Sequence, residues 1–350
     1  MERIIKYSKP SSDIASESSE MIVSNIERAK KQALITEQLS NLSFRKKCVC
    51  CGKKLYGAEF SHRGLIFLEC ETCNHIQSKN LPTPNYPNDI SRESGFDTIY
   101  PGLCAKEYES RTIRIYKPKL NWLFNTLINL GYTKKDLINK KWIEIGSGAG
   151  NFISACANKG IKDIVGIEVN QNLVSASREH NPQLNTIHWK SSCEAIIKEH
   201  EADILCSFFV LEHINDLSPV WEELSRKPKG SIFVFSVPVF GLSTILEDAF
   251  PDQFARNLDG VVHTQLFTDD SIEYAMKIAG HQISSEWIFG QDTSDLVRFL
   301  TMKNKCKNIS SQESRKNKTF NRIYAIQDEL QAVIDKNRLS DQRHILAIKK

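Results

Sequence analysis

The fold is decided by one stretch, KKWIEIGSGAGNFISACANKGIKDIVGIEVN, which spans residues 140–170. A β-branched apolar run ends at Glu144, gives way to a loop with three glycines spaced two apart, and then turns into a helical pattern. A second apolar run ends at Glu168. A strand that passes through a glycine loop into a helix places open backbone and a helix N-terminus at the carboxyl edge of a parallel sheet, where nucleotide-like ligands bind. The stretch therefore predicts a ligand site of that kind.

The chain around and beyond this stretch repeats the alternation of apolar runs and helical patterns. The predicted strands are Trp142–Ile145, Ile164–Ile167, Thr186–Trp189, Ile204–Phe208 and Ser231–Val237. Such alternation predicts an α/β fold in which helices cover both faces of a parallel sheet. After a helix predicted at Phe320–Lys336, the closing residues DQRHILAIKK predict a terminal strand.

Composition sets limits on size, location and partners. With 350 residues and 41% hydrophobic content, the chain is long enough for one large core and a smaller unit beside it. The formal charge of +4 comes without a long block of like charge, so it gives no case for a nucleic-acid groove or a membrane surface. No run approaches the roughly 18 apolar residues of a spanning helix, and the N-terminus lacks the apolar middle of a secretion signal. We expect a soluble, cytoplasmic protein with reduced cysteines.

The segments before the glycine loop predict a tail, a helix, a small module and a connector. Residues 1–13 lack periodicity, which indicates a loose tail, and apolar residues at three-four spacing predict an amphipathic helix within 14–44. Four prolines in 79–102 indicate an irregular connector, and 106–129 is predicted as two helical pieces separated at Pro118. The predicted domains are residues 1–44, tail and amphipathic helix; 45–80, zinc-binding module; 81–139, connector and helical segment; and 140–350, the main α/β domain.

Two cysteine pairs lie in the module. Cys48 and Cys51 form one C-x-x-C, Cys70 and Cys73 form another, and eighteen residues separate the pairs. This spacing lets two hairpin knuckles meet around one tetrahedral zinc ion. Because four thiolates close such a site, the zinc is predicted to be structural, with His75 as an alternative ligand.

An acid followed by G-x-G-x-G, with a second acid about twenty residues on, resembles the class I S-adenosylmethionine-dependent methyltransferases over roughly residues 105–350. A dinucleotide site would have a glycine where this chain has Asn151. Residues 202–238 resemble the fourth strand, loop, helix and fifth strand of these enzymes, and the closing strand resembles their reversed seventh strand. The resemblance implies a Rossmann-like seven-stranded sheet, methyltransferase activity and S-adenosylmethionine as the cofactor.

The resemblance also implies roles at the cofactor site. The glycine loop packs under the methionine part and ribose, Glu168 accepts hydrogen bonds from both ribose hydroxyls, and Glu144 orients the loop and the cofactor ammonium. Ser192 and Cys193 occupy the positions where many relatives have an acidic residue that contacts the adenine amino group. The implied cofactor-binding residues are Glu144, Gly146, Ser147, Gly148, Gly150, Glu168, Ser192, Cys193 and Phe208.

Methyl transfer needs an aligned acceptor and, for a weak nucleophile, removal of its proton, so one base is the most to expect. His263 lies in a segment that resembles the His-x-x-x-Phe-[Ser/Thr] segment of sugar and small-molecule methyltransferases, where the histidine can act as base. His213, in the Leu-Glu-His that follows the fourth strand, is the rival candidate. An ordinary polar loop or a capping role explains either histidine equally well.

The order of zinc module, helical connector, core and His263 segment is similar to that of bacterial sugar C-methyltransferases and their relatives in surface-polysaccharide clusters. That similarity implies a sugar, nucleotide-sugar or glycan acceptor. One alternative is an RNA methyltransferase whose zinc module grips nucleic acid through the surrounding basic residues. Those residues are Lys46, Lys47, Lys53, Lys54 and Arg63. Another is a non-catalytic, zinc-bearing assembly protein with a vestigial cofactor fold.

Overall fold

The structure is a computed structural model that describes residues 2–13, 30, 36–82, 102–251, 256–260, 263–297 and 313–350. Most of the amphipathic helix predicted within 14–44 and much of the proline-rich connector lie outside these residues. Among the described helices, none is both long and apolar enough to cross a membrane.

Eight strands form the main sheet of the described chain, in the order β1-β11-β12-β9-β8-β5-β6-β7. Their bounds are β1 Ile4–Tyr7, β5 Trp142–Ile145, β6 Ile164–Glu168, β7 Asn185–His188, β8 Ile204–Phe208, β9 Ile232–Pro238, β11 His281–Ile288 and β12 Gln342–Lys349. Strand β12 is antiparallel to both neighbours, and all other pairs are parallel. The predicted seven-stranded Rossmann-like sheet with a reversed strand is confirmed, and it carries one further strand at its edge.

Helices cover both faces of this sheet. They are α1 Ala105–Arg111, α2 Lys117–Asn129, α3 Lys134–Asn139, α4 Asn151–Asn158, α5 Gln171–His180, α6 Cys193–Glu199, α7 Ser218–Ser225, α8 Leu242–Ala249, α9 Asp269–Ile278, α10 Glu313–Ala325 and α11 Gln327–Lys336. The helix predicted at Phe320–Lys336 is divided at Ile326 into α10 and α11. All five predicted strands of the sheet are present within one residue at each end. Their apolar runs are continuous because helices bury both faces.

The prediction of a loose N-terminal tail is wrong. Residues Ile4–Tyr7 form β1, which pairs in parallel with β11 at the edge of the sheet. The Trp287 indole donates a hydrogen bond to the Ser8 carbonyl at 2.9 Å, and the Lys6 ammonium lies 3.6 Å from the centroid of the Trp287 ring. Four residues with half-exposed side chains carry no strand periodicity of their own, so pairing with β11 decides the structure. As a result, Lys9 lies at the carboxyl edge of the sheet.

The connector helix is continuous where two separated pieces were predicted. Between α1 and α2 the chain forms a π-helical segment, Thr112–Tyr116, and the residues at both junctions keep right-handed helical angles. Pro118 lies in the first turn of α2, where its missing amide hydrogen costs little. Helix α2 buries Leu123 and Leu127 in the same apolar cluster as Trp142 of β5.

A second, four-stranded sheet contains the cysteine module, in the order β10-β4-β3-β2. Its strands are β2 Gly57–His62, β3 Leu65–Cys70, β4 Ile76–Ser78 and β10 Gln265–Leu266. Strand β10 comes from the chain after α8, so the module and the main domain share a sheet. The Trp221 indole of α7 donates to the Cys50 carbonyl at 2.9 Å, and both residues belong to one buried cluster.

Candidate functional site

The glycine loop leaves β5 at the carboxyl edge of the main sheet. Gly146, Gly148 and Gly150 have φ angles of 71°, 53° and 82°, a region that glycine adopts without steric cost. A side chain at Gly146 would overlap the neighbouring loop after β8, whereas one at Gly148 would meet nothing within 4 Å. The amides of Gly146 and Ser147 donate to the Ile167 carbonyl at 2.8 and 3.1 Å, which holds the loop over the end of β6.

Glu168 ends β6 and is held by the backbone around it. Its Oε2 accepts from the Gly148 amide at 2.8 Å, and its Oε1 accepts from the amides of Val169 and Asn170 at 2.8 and 2.9 Å. Burial raises the pKa of Glu168, and these amides oppose that change. A carboxylate accepts about four hydrogen bonds, and three backbone amides already donate to Glu168. One acceptor position therefore remains for a ligand hydroxyl, and a second hydroxyl would have to share an oxygen lone pair with one of the amides.

Glu144 is the penultimate residue of β5, just before the glycine loop, and is 2% exposed. Its Oε2 has no hydrogen-bond partner within the described part of the chain. Burial raises the pKa of Glu144 well above its ordinary value, and the charge of Lys119 opposes this. A buried acceptor without a donor, beside open backbone, fits a ligand that brings its own cationic or N–H group.

Lys119 is a candidate site residue that sequence reasoning missed. It is 4% exposed on α2, and its Nζ lies 4.8 and 4.9 Å from the ring centroids of Phe208 and Phe209. Burial lowers the pKa of Lys119 to about 7, and neighbouring positive charges add to the effect. The available signal was its position on the helix face that also carries Leu123, because a lysine on an apolar face is unusual.

The remaining predicted cofactor residues lie at two places on the same edge. Ser147 and Phe208 are both buried, and the Phe208 ring packs edge-on against Phe152, 4.8 Å between centroids. Ser192 is the N-cap of α6, and Cys193 begins that helix at the border of the core. The structure thus brings the loop, both acids and Phe208 together, whereas Ser192 and Cys193 follow β7, two strands from β5.

The segment that contains this geometry matches a known family. Residues 143–234 match the family described as Methyltransferase domain, and they include the glycine loop, Glu168 and Phe208. Residues 143–234 are a class I methyltransferase domain. The sheet order, with its reversed strand β12, agrees with the fold expected of such a domain.

Other proteins resemble this chain over a short segment or at low sequence identity. A protein of Methanocaldococcus jannaschii, named as a candidate protein N5-glutamine methyltransferase, is 43% identical over 53 residues, which are 15% of this chain and 26% of that protein. Magnesium protoporphyrin IX methyltransferase of Synechocystis PCC 6803 is 11% identical, with a TM-score of 0.43, over 76% of this chain and 96% of that one. Phosphoethanolamine N-methyltransferase 2 of Haemonchus contortus is 14% identical, with a TM-score of 0.44, over 92% and 74%. Similarities with such low coverage, sequence identity or TM-score do not identify the methyl acceptor of this chain.

The loop after β8 and the segment before β10 bring His213 and His263 together beside Glu212. The two imidazole centroids are 5.1 Å apart, and one ligand atom from each of the three residues lies within 4.8 Å of the others. Glu212 is fully buried, and neither of its carboxylate oxygens has a hydrogen-bond partner among the described residues. Burial raises the pKa of Glu212 to about 8. Sequence reasoning selected both histidines as candidates but not Glu212, which precedes His213 in the loop after β8.

The four predicted cysteine ligands also lie together. Sγ of Cys48 is 3.6 Å from Sγ of Cys73, Sγ of Cys51 is 3.8 Å from Sγ of Cys70, and all four lie within 4.8 Å of one another. Ligands about 2.3 Å from a tetrahedral zinc ion are about 3.8 Å apart. The cluster therefore has the dimensions of a four-thiolate metal site.

His75 is engaged elsewhere and is not a fifth candidate ligand. Its Nε2 lies 2.6 Å from Oε1 of Gln265, and its Nδ1 lies 3.4 Å from Oγ of Ser271. The Gln265 amide donates to the Ile214 carbonyl at 2.6 Å and to the Leu211 carbonyl at 3.5 Å. A buried chain of hydrogen bonds thus connects the cysteine module to the loop that carries His213.

Proposed function

We propose that this chain binds S-adenosylmethionine and transfers its methyl group to a sugar, nucleotide-sugar or glycan acceptor. The observation that carries the cofactor assignment is the hydrogen bond from the Gly148 amide to Glu168, which joins the loop to the second acid. Glu168 would hold the ribose, and the unsatisfied Glu144 would receive the cofactor ammonium. The remaining proposed contacts are Gly146, Ser147, Gly150 and Phe208 along the loop and strand ends, with Ser192 and Cys193 near the adenine.

When bound, the cofactor supplies a methyl group activated by its sulfonium. The protein then has to align the acceptor with that methyl and remove the acceptor proton if the nucleophile is weak. We propose that His213 and His263 face the acceptor, because Val210, in the same loop as His213, packs directly against Gly146. Sequence similarity favours His263 as the group that takes the proton.

Two buried lysines support an acceptor that carries negative charge. Lys9 follows β1 and is 5% exposed, and its Nζ lies 5.7 Å from the centroid of Phe289 at the end of β11. Burial lowers the pKa of Lys9 to about 8, and Lys119 is buried on α2 over the end of β8. Within the described residues, neither lysine forms an ion pair, so both can attract a phosphate or carboxylate. A nucleotide-linked sugar carries such a group.

We further propose that Cys48, Cys51, Cys70 and Cys73 hold a structural Zn²⁺. The sulfur separations match a tetrahedral site, and four protein ligands leave no open position for chemistry. The ion would fix the two knuckles against α7 and the rest of the core.

RNA is the second candidate acceptor, and one observation favours it. Lys46, Lys47, Lys53 and Lys54 are all exposed around the knuckles, where they can contact phosphates. A thermal-unfolding comparison separates the two acceptor classes, because a ligand that binds only the folded protein raises its melting temperature. With S-adenosylhomocysteine present, a nucleotide sugar should raise the melting temperature further, and short RNAs should not. The opposite ranking would replace the sugar with RNA.

A further inference from the structure

The cluster of Glu212, His213 and His263 has the composition of a metal site that is separate from the cysteines. We propose that these three residues bind a divalent first-row transition metal, whose open coordination positions bind oxygen atoms of the acceptor. This inference rests on the proposed methyl transfer and adds how the acceptor is held.

The donor atoms are close enough to share one ion. One carboxylate oxygen and one ring nitrogen from each histidine lie within 4.8 Å of one another. Nitrogen and oxygen ligands sit about 2.0–2.2 Å from such metals, so side-chain shifts of up to about an ångström close the group around an ion. Two imidazoles with one carboxylate suit transition metals and leave positions open, whereas Mg²⁺ prefers oxygen ligands alone.

Glu212 supplies the independent reason to expect a cation. Its side chain is fully buried, and within the described residues both of its oxygens lack a hydrogen-bond donor. A buried carboxylate without a donor is unfavourable, and a bound cation provides the missing partner. The two histidines are half-buried.

The surrounding backbone fixes both parts of the cluster. The Gln265 amide binds the carbonyls of Leu211 and Ile214, which flank Glu212 and His213 in the chain. On the other side, the His263 carbonyl accepts from the Gly260 amide at 3.1 Å, and the His263 amide donates to Asp259 at 3.2 Å. Outer contacts of this kind orient metal ligands.

The position of the cluster suits activation of an acceptor hydroxyl beside the cofactor. A hydroxyl bound to the metal loses its proton to solvent more readily, because the cation stabilises the resulting oxygen anion. In this metal-bound form His263 holds the ion and no longer takes the acceptor proton itself. A lone pair of that oxygen then forms the bond to the methyl carbon, while the electrons of the carbon–sulfur bond remain on sulfur. The products are a methyl ether and the neutral thioether.

Manganese binding tests the inference with the full-length, zinc-loaded protein. Mn²⁺ is titrated while its free ion is followed by electron paramagnetic resonance, with zinc content measured before and after. Wild type should bind one Mn²⁺ per chain, and Glu212→Gln, His213→Asn and His263→Asn should each weaken that binding at least tenfold. His188→Asn changes a histidine at the end of β7 on the same edge of the sheet, and it should leave Mn²⁺ binding unchanged.

Calorimetry with S-adenosylhomocysteine, on the same samples, separates this inference from the proposed function, and thermal unfolding checks that each variant is folded. If the protein binds S-adenosylhomocysteine but no Mn²⁺, the metal site is overturned and the methyltransferase function stands. Mn²⁺ binding that is lost in the variants, in a protein that does not bind S-adenosylhomocysteine, supports the metal site and overturns the function. Mn²⁺ binding that survives in the folded histidine variants assigns the ion elsewhere and overturns the inference.

Discussion

Nε2 of His75 lies 2.6 Å from Oε1 of Gln265, and this buried hydrogen bond joins the cysteine module to the main α/β domain. The same glutamine binds the carbonyls of Leu211 and Ile214. One side chain therefore connects the residues after the second cysteine pair with the loop that we assign to the acceptor.

Gln265→Leu tests this connection. The variant leaves His75 and the Ile214 carbonyl unsatisfied in the interior, which should lower the free energy of unfolding by about 1–3 kcal/mol. Urea unfolding measures the change, and Gln183→Leu, at an exposed position, is the matched control. Equal stability of the two variants would show that the connection contributes little.

Metal analysis tests the cysteine site. Wild type should contain one zinc per chain, and the double variant Cys70→Ser, Cys73→Ser should contain none, because two thiolates cannot close a structural site. Since both cysteines belong to the same buried cluster as Trp221, the double variant should also melt at a lower temperature.

Cys104→Ser is the control for that experiment, because Cys104 is exposed ahead of α1. It should keep its zinc. Less than half an equivalent of zinc in wild type, or full zinc in the double variant, would contradict the assignment.

Lys119→Met should stabilise the protein and weaken acceptor binding. The pKa of Lys119 falls from 10.5 to about 7 on folding, so between these values the unfolded chain binds a proton that the folded chain lacks. Stability contributed by this group therefore rises with pH across that interval, and the cost of burying the charge is fully present below pH 7.

The methionine variant should lose that pH dependence and gain most in melting temperature at or below pH 7. Lys117→Met, an exposed change on the same helix, should keep the wild-type profile. A melting temperature that falls in Lys119→Met at pH 6 would mean that the lysine is compensated by a partner and that its burial carries no cost.

Gly146→Ala and Gly148→Ala form a matched pair at the glycine loop. Both introduce a side chain at positive φ, at roughly 1–2 kcal/mol each. Only the change at 146 also forces Cβ into Val210, whereas the Cβ at 148 points into open space beside Glu168. We expect Gly146→Ala to lose more stability in urea and Gly148→Ala to lose mainly affinity for S-adenosylhomocysteine. Indistinguishable effects of the two changes would count against the loop geometry.

The main sheet was predictable because its strands are buried on both faces and therefore appear as continuous apolar runs. Strands β5 and β8 were located to the residue. Edge strand β1, the two-residue β10 and the longer β11 were not predicted, since each depends on a partner strand distant in sequence. Short segments of this kind carry no periodicity that a sequence pattern can detect.

The chemical residues divide in a similar way. The cysteines and the glycine loop were found from spacing, because their chemistry requires neighbours along the chain. Lys119 and Glu212 gain their character from burial by other elements, which spacing does not show. The pairing of His213 with His263 likewise arises only when the loops after β8 and β9 meet.

The central claim is that Glu168 and the glycine loop bind the cofactor, and titration calorimetry with S-adenosylhomocysteine tests it most directly. Glu168→Ala removes the acceptor for the ribose, and Glu168→Gln keeps the size of the side chain but replaces one acceptor oxygen with a donor group. Melting of each apo-variant checks that the fold survives, because Glu168 also holds the amides of Gly148, Val169 and Asn170. The account predicts that Glu168→Ala loses about 1–3 kcal/mol of binding free energy, with a smaller loss for Glu168→Gln. Wild-type affinity in a folded Glu168→Ala variant would contradict it.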